Sequence, residues 1–173
     1  SRSADLWAEV TLPYPAGAAL RPVTVALLTD THLSGPDNSP QRMARIVRQI
    51  NALRPDLILL GGDYIGDDKG AAIYDARASI APFAALRAPM GVVAVLGNHD
   101  SRSKQNRRAL SASDWQAAFH AVGITLLQDG AVRRGPLAIG GSDALPYGQR
   151  RASVLAEEQR REFALIGRLN RLA

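Results

Sequence analysis

The sequence predicts an α/β domain built on a parallel sheet, and three observations predict it. Apolar runs at residues 23–29, 57–60 and 91–96 are short, unbroken and rich in Val, Leu and Ile. Such runs suit strands buried on both faces. Between them lie stretches with helical spacing, and repeated strand–helix units with short connections close through right-handed crossovers into parallel pairs. Each run also ends in an aspartate or a glycine turn: Asp30, then Gly61-Gly62-Asp63, then Gly97-Asn98-His99-Asp100.

Taken in order, residues 7–12 alternate apolar and polar as an edge strand does, until Pro13 and Pro15 break it. Residues 23–29 form the first buried strand. Ser39 caps a helix with Pro40 at its first position, and Met43, Ile46, Val47 and Ile50 recur on one face while Arg42, Arg45 and Arg48 turn outward. Pro55 stops it. After the strand at 57–60, a second helix is expected within 71–86, with Pro82 disturbing its last turn. The third strand covers 91–96. Ser113 or Asp114 then caps a short helix carrying Trp115, Ala118, Phe119 and Val122 on one side, with Gly123 as its stop. Residues 124–127 and 137–139 read as further strands.

Two segments follow from composition: a domain over 1–143, and an Arg-rich tail over 144–173 expected to be helical. Of four glutamates in the chain, three fall in that tail, and Phe163, Ile166 and Leu169 give it an apolar stripe. A packing helix is the plain expectation; a membrane-surface or partner helix is the alternative.

At 173 residues, 46% hydrophobic and 21% charged, the chain is long enough to bury a core and too apolar to be disordered. No apolar stretch approaches the roughly 20 residues that span a bilayer. The absence of cysteine excludes disulfides, thiolate metal sites and cysteine nucleophiles. The net charge of +5 suggests an anionic partner, yet the tail carries +3 of it and no aromatic-interleaved basic strand is present, so nucleic-acid binding is not expected. Arg102, Lys104, Arg107 and Arg108 follow the third glycine turn, where they either form a solvated face or attract a substrate phosphate. Localisation stays open between the cytoplasm and the cell envelope.

Chemistry must therefore rest on aspartates and on three histidines: His32, His99 and His120. Asp30, Asp63 and Asn98 each lie just past the carboxyl end of a parallel strand, the rim where open α/β sheets bind ligands. Asp30 and His32, one residue apart, can point the same way and grip one ion. Two carboxylates, an imidazole and an amide suit Mn²⁺, Fe or Zn²⁺. Taken singly, Asp30 is as well explained as a turn aspartate and Gly62-Asp63 as a tight turn. The Gly97-Asn98-His99-Asp100 tetrad is harder to explain that way, since GNH followed by an acid arises by chance in well under about one in a hundred chains of this length. His120 lies off the apolar face of its helix and is expected on the surface.

These residues resemble the calcineurin-like metallophosphoesterase superfamily, whose pattern is D-x-H, then G-D, then G-N-H-[D/E] at strand ends. Here it reads Asp30-Thr31-His32, Gly62-Asp63 and Gly97-Asn98-His99-Asp100. The surrounding residues are most similar to a bacterial branch of membrane-associated phosphoesterases and lipid-sugar pyrophosphate hydrolases. The resemblance covers about 23–143 and implies a two-sheet β-sandwich flanked by helices. It implies two divalent metal ions (Mn, Fe or Zn), with Asp30 and His32 on the first, Asp63 bridging and Asn98 on the second. His99 would serve the leaving-group oxygen, with Asp100 orienting its ring. The implied activity is hydrolysis of phosphomonoester, phosphodiester or pyrophosphate bonds by a metal-activated hydroxide.

One departure stands out. The superfamily completes its site with a further histidine and a G-H-x-H motif, and no histidine follows His120. The expectation is a fold incomplete at its C-terminal side, through fragmentation, truncation or a frameshift after about Asp143, with oligomerisation as another way to cover the sheet and restore the site. An impaired homologue that binds a ligand or partner is the competing expectation.

Overall fold

The computed structural model describes residues 22–36, 38–66, 74–100 and 109–142. The expected strand at 7–12, the tail at 144–173 and the basic group Arg102, Lys104, Arg107 and Arg108 lie outside the described residues. Chain order is β1 (Val25–Leu28), α1 (Pro40–Ala52), β2 (Leu57–Leu60), α2 (Ala76–Ile80) running into a 3₁₀ turn (Ala81–Ala85), β3 (Val92–Ala94), α3 (Ala112–Ala121), β4 (Thr125–Leu126), β5 (Gly130–Arg134) and β6 (Leu137–Gly141).

The four strands β1 to β4 form one sheet in sequential order, every pair parallel. Sequential parallel strands joined by crossovers of one hand place all their helices on one face. The packing agrees: Met43, Val47 and Ile50 of α1, Ile80 of α2, Phe83 of the 3₁₀ turn, and Trp115, Ala118 and Phe119 of α3 share one core with Ile58, Leu60, Ala94 and Leu126. On the opposite face Leu57, Val93 and Leu127 meet Val132, Leu137 and Ile139 from the antiparallel β5–β6 hairpin. The class is mixed α/β, as expected, with the hairpin beginning a second layer.

Local chemistry explains the elements. Ser39 caps α1 by accepting from the Arg42 amide at 3.3 Å, with Pro40 in the first turn. Thirteen residues are marginal as an isolated helix. Burial of Met43, Val47 and Ile50, worth about 1.5–3 kcal/mol each, holds it. The second helix is shorter than its sequence pattern suggests: Pro82 lacks the N–H that an α-helix needs, and the chain tightens into 3₁₀ geometry. α3 starts earlier than expected, because Ser111 rather than Ser113 or Asp114 is its cap, accepting from the Asp114 amide at 3.2 Å. His120 is exposed at its last turn, as expected. β5 was not foreseen, since its outward-facing arginine and alanine obscure an alternation visible only against β6.

Coverage of the second face is uneven. The register sets Val25 beside Leu57 and Leu27 beside Leu59, so all four point the same way. Leu57 is 1% exposed, yet Val25 is 42% and Leu27 64% exposed. Among the described residues no helix is long and apolar enough to cross a membrane.

Candidate metal centre

Three loops leave the carboxyl ends of β1, β2 and β3, and backbone bonds stitch the first to the second. The Asp30 amide donates to the Gly62 carbonyl at 3.1 Å, His32 to Asp63 at 2.8 Å and Leu33 to Tyr64 at 3.0 Å. This docking requires backbone that side chains rarely adopt: Asp30, His32 and Asp63 have φ of 54°, 37° and 57°. Non-glycine residues with positive φ cost free energy that surrounding contacts must offset, and they concentrate at functional sites. Gly62, at φ 94°, lies so close to the third loop that an added Cβ would stand 2.7 Å from Gly97 Cα. A Cβ on Gly97 would in turn meet the Asp63 carboxylate, 2.6 Å from its Cγ. The two glycines let two loops touch.

The side chains converge accordingly. Ligating atoms of His32, Asp63 and His99 all lie within 4.8 Å of one another. His32 Nε2 is 3.7 Å from Asp30 Oδ1 and 4.0 Å from Asp63 Oδ2. The other Asp63 oxygen accepts from the His99 amide at 2.8 Å, which fixes the carboxylate. Thr29 Oγ1 likewise donates to Asp30 Oδ2 at 2.7 Å. The His32 and His99 rings meet edge to face, centroids 4.6 Å apart and planes at 88°. Asp30 is exposed and stands beside the group of three rather than within it; Asn98 occupies the same turn as His99 and is half-buried.

Asp100 lies lower. It is fully buried, and its oxygens accept from the amides of Gly97 (2.8 Å), Asp63 (2.8 Å), Tyr64 (2.9 Å) and Ile65 (3.4 Å). This carboxylate, expected to orient the His99 ring, also binds the second loop to the third. Burial pushes its pKa up to about 6, although the amides favour the charged form. Beneath it, Tyr64 sends its hydroxyl toward the carbonyls of Val95 (2.7 Å) and Leu60 (3.2 Å), joining the ends of β2 and β3. Burial, with the Asp100 charge, holds its phenol well above the ordinary value. Trp115 Nε1 donates to the Asp100 carbonyl at 2.9 Å. The roles of Thr29, Tyr64 and Trp115 escaped the sequence reading, because only the fold brings their partners near.

Two imidazoles with adjacent carboxylates, gathered at the rim of a parallel sheet and free of thiols, fit a divalent cation of the borderline class. Without one, Asp30 and Asp63 would flank His32 as like charges. An α/β domain with such a cluster at its sheet edge has the donor set of a metal-binding domain. Residues 23–162 match the calcineurin-like phosphoesterase family, and the chain belongs to it. Members of that family work with divalent metals.

The curated relatives agree. A metallophosphoesterase-named protein of Caenorhabditis elegans is 40% identical over 78 residues, 45% of this chain and 15% of its own length. A bovine (Bos taurus) transmembrane protein with a metallophosphoesterase domain is 30% identical over 115 residues, 66% of this chain and 23% of its own. A cAMP/cGMP dual specificity phosphodiesterase of Mycobacterium tuberculosis is 33% identical over 112 residues, 59% of this chain and 35% of its own. The chain thus spans between 15% and 35% of the length of these relatives.

Proposed function

We propose that this chain is the metal-binding part of a phosphoester hydrolase, with Asp30, His32, Asp63 and Asn98 holding divalent metal and His99 serving the leaving group. The observation that carries this reading is the convergence of His32, Asp63 and His99 donors within 4.8 Å from three separate loops. A divalent cation bound there lowers the pKa of coordinated water and offsets phosphate charge. Asp63, fixed through one oxygen by the His99 amide, keeps the other facing His32. The His99 ring, stacked edge-on against His32, delivers a proton to the departing oxygen. Mn²⁺, Fe or Zn²⁺ suits this donor set, and the M. tuberculosis relative's name makes a phosphodiester the first bond to try, ahead of phosphomonoesters and pyrophosphates.

The test is hydrolysis of bis(p-nitrophenyl) phosphate and p-nitrophenyl phosphate with Mn²⁺. Asp63→Asn should lose both Mn²⁺ binding and turnover, whereas His99→Gln should weaken binding less than Asp63→Asn does and lose at least about 100-fold in kcat. A folded protein that binds no Mn²⁺ rejects the proposal. A second reading, a ligand-binding homologue without turnover, draws on the single group of three donors found among the described residues. That number suits one ion better than a pair about 3.5–4 Å apart. Mn²⁺ binding without hydrolysis of either ester would favour it.

A further inference from the structure

We propose that Asn38 is a positioning residue for the metal site, a latch that holds the Asp30–His32 loop in its ligating conformation. The inference rests on the metal reading above and deepens it. Amides of Asp30, His32 and Leu33 anchor this loop to the second loop on one side. Its carbonyls need a partner on the other, and Asn38 supplies it: Nδ2 donates to the Thr31 carbonyl and, at 2.9 Å, to the His32 carbonyl. Two acceptors facing one carboxamide settle its orientation, with NH₂ toward the loop. Arg42, one turn into α1, donates to the remaining Oδ1 at 3.0 Å.

The turn that carries Asn38 closes on the same point. The Ser34 amide donates to the Asn38 carbonyl at 3.1 Å, and Ser34 Oγ donates to the His32 carbonyl at 3.3 Å. His32 and Asp30 both have positive φ, a strained backbone, so the loop relaxes unless held from both sides. One side is the second loop, and the other is the entrance to α1 through Asn38. Loss of the latch therefore rotates the His32 ring away from Asp63 and His99. Groups that orient metal-ligating residues typically change affinity 10–100-fold when removed.

The test uses Asn38→Asp, which preserves shape but presents oxygen to two carbonyl oxygens, and the milder Asn38→Ala. Circular dichroism establishes folding, and calorimetric titration with Mn²⁺ alone measures affinity. Imidazole NMR signals of the metal-free protein report where His32 sits. Affinity should fall at least about 10-fold. The His32 signals, set by the His99 ring beside them, should move while those of the exposed His120 stay. A purely structural role would lower the melting temperature and leave both readouts of the folded variant unchanged, which overturns the proposal. Wild-type protein that binds no Mn²⁺ would reject the metal reading instead, and the His32 signals would still decide for or against the latch.

Discussion

Asp100 illustrates how one side chain can build a site through backbone contacts. Four backbone amides from two loops converge on a carboxylate that water does not reach. Asp100→Ala leaves those donors unsatisfied and should cost at least about 3 kcal/mol in urea unfolding. Its titration makes a second prediction. With a folded pKa of about 6 against an ordinary 3.8, the folded protein holds this proton more tightly than the unfolded chain. The contribution of this group to the stability of the metal-free protein should therefore be greatest below about pH 4 and fall by roughly 3 kcal/mol as pH rises through about 6, then level off. Asp100→Asn, which does not titrate, should abolish that fall.

Elements act on the site through single contacts. α3 carries no ligand, yet its Trp115 indole reaches the Asp100 carbonyl at 2.9 Å and packs against Tyr64 and Phe119. Trp115→Phe keeps most of the packing and removes the donor, so it should cost about 1–3 kcal/mol in unfolding free energy. The glycine pair makes a sharper element-level prediction: Gly97→Ala drives a methyl into the Asp63 carboxylate, and Mn²⁺ affinity measured by titration should drop at least about 10-fold. Patterns confined to one element were legible beforehand, such as Ser39-Pro40 opening α1 and its buried face of Met43, Val47 and Ile50. Elements that depend on a partner were not, and β5 is the case in point: without β6 nothing marks its alternation as a strand.

Across the whole molecule, helices fill one face of the sheet and the hairpin covers only part of the other. Two leucines on that second face should therefore respond in opposite ways. Leu57→Ala, at a site 1% exposed, should cost about 2–5 kcal/mol. Leu27→Lys, at a site 64% exposed, should change stability by less than about 0.5 kcal/mol; denaturant titration of both variants checks the contrast.

By itself the sequence determined the α/β class, the Ser39 cap of α1 and the three strand-end motifs, because the cap and the motifs depend on neighbours a few residues apart. It also identified the candidate ligands Asp30, His32, Asp63 and Asn98 with His99, as residue types at motif positions. Only the tertiary structure decided which of their atoms meet, that Asp100 serves backbone amides, and that Asn38 grips the loop from the α1 side. Those contacts join residues up to 37 positions apart. Their existence depends on parallel strand register and on glycines that let two backbones touch, and neither is written in any local pattern.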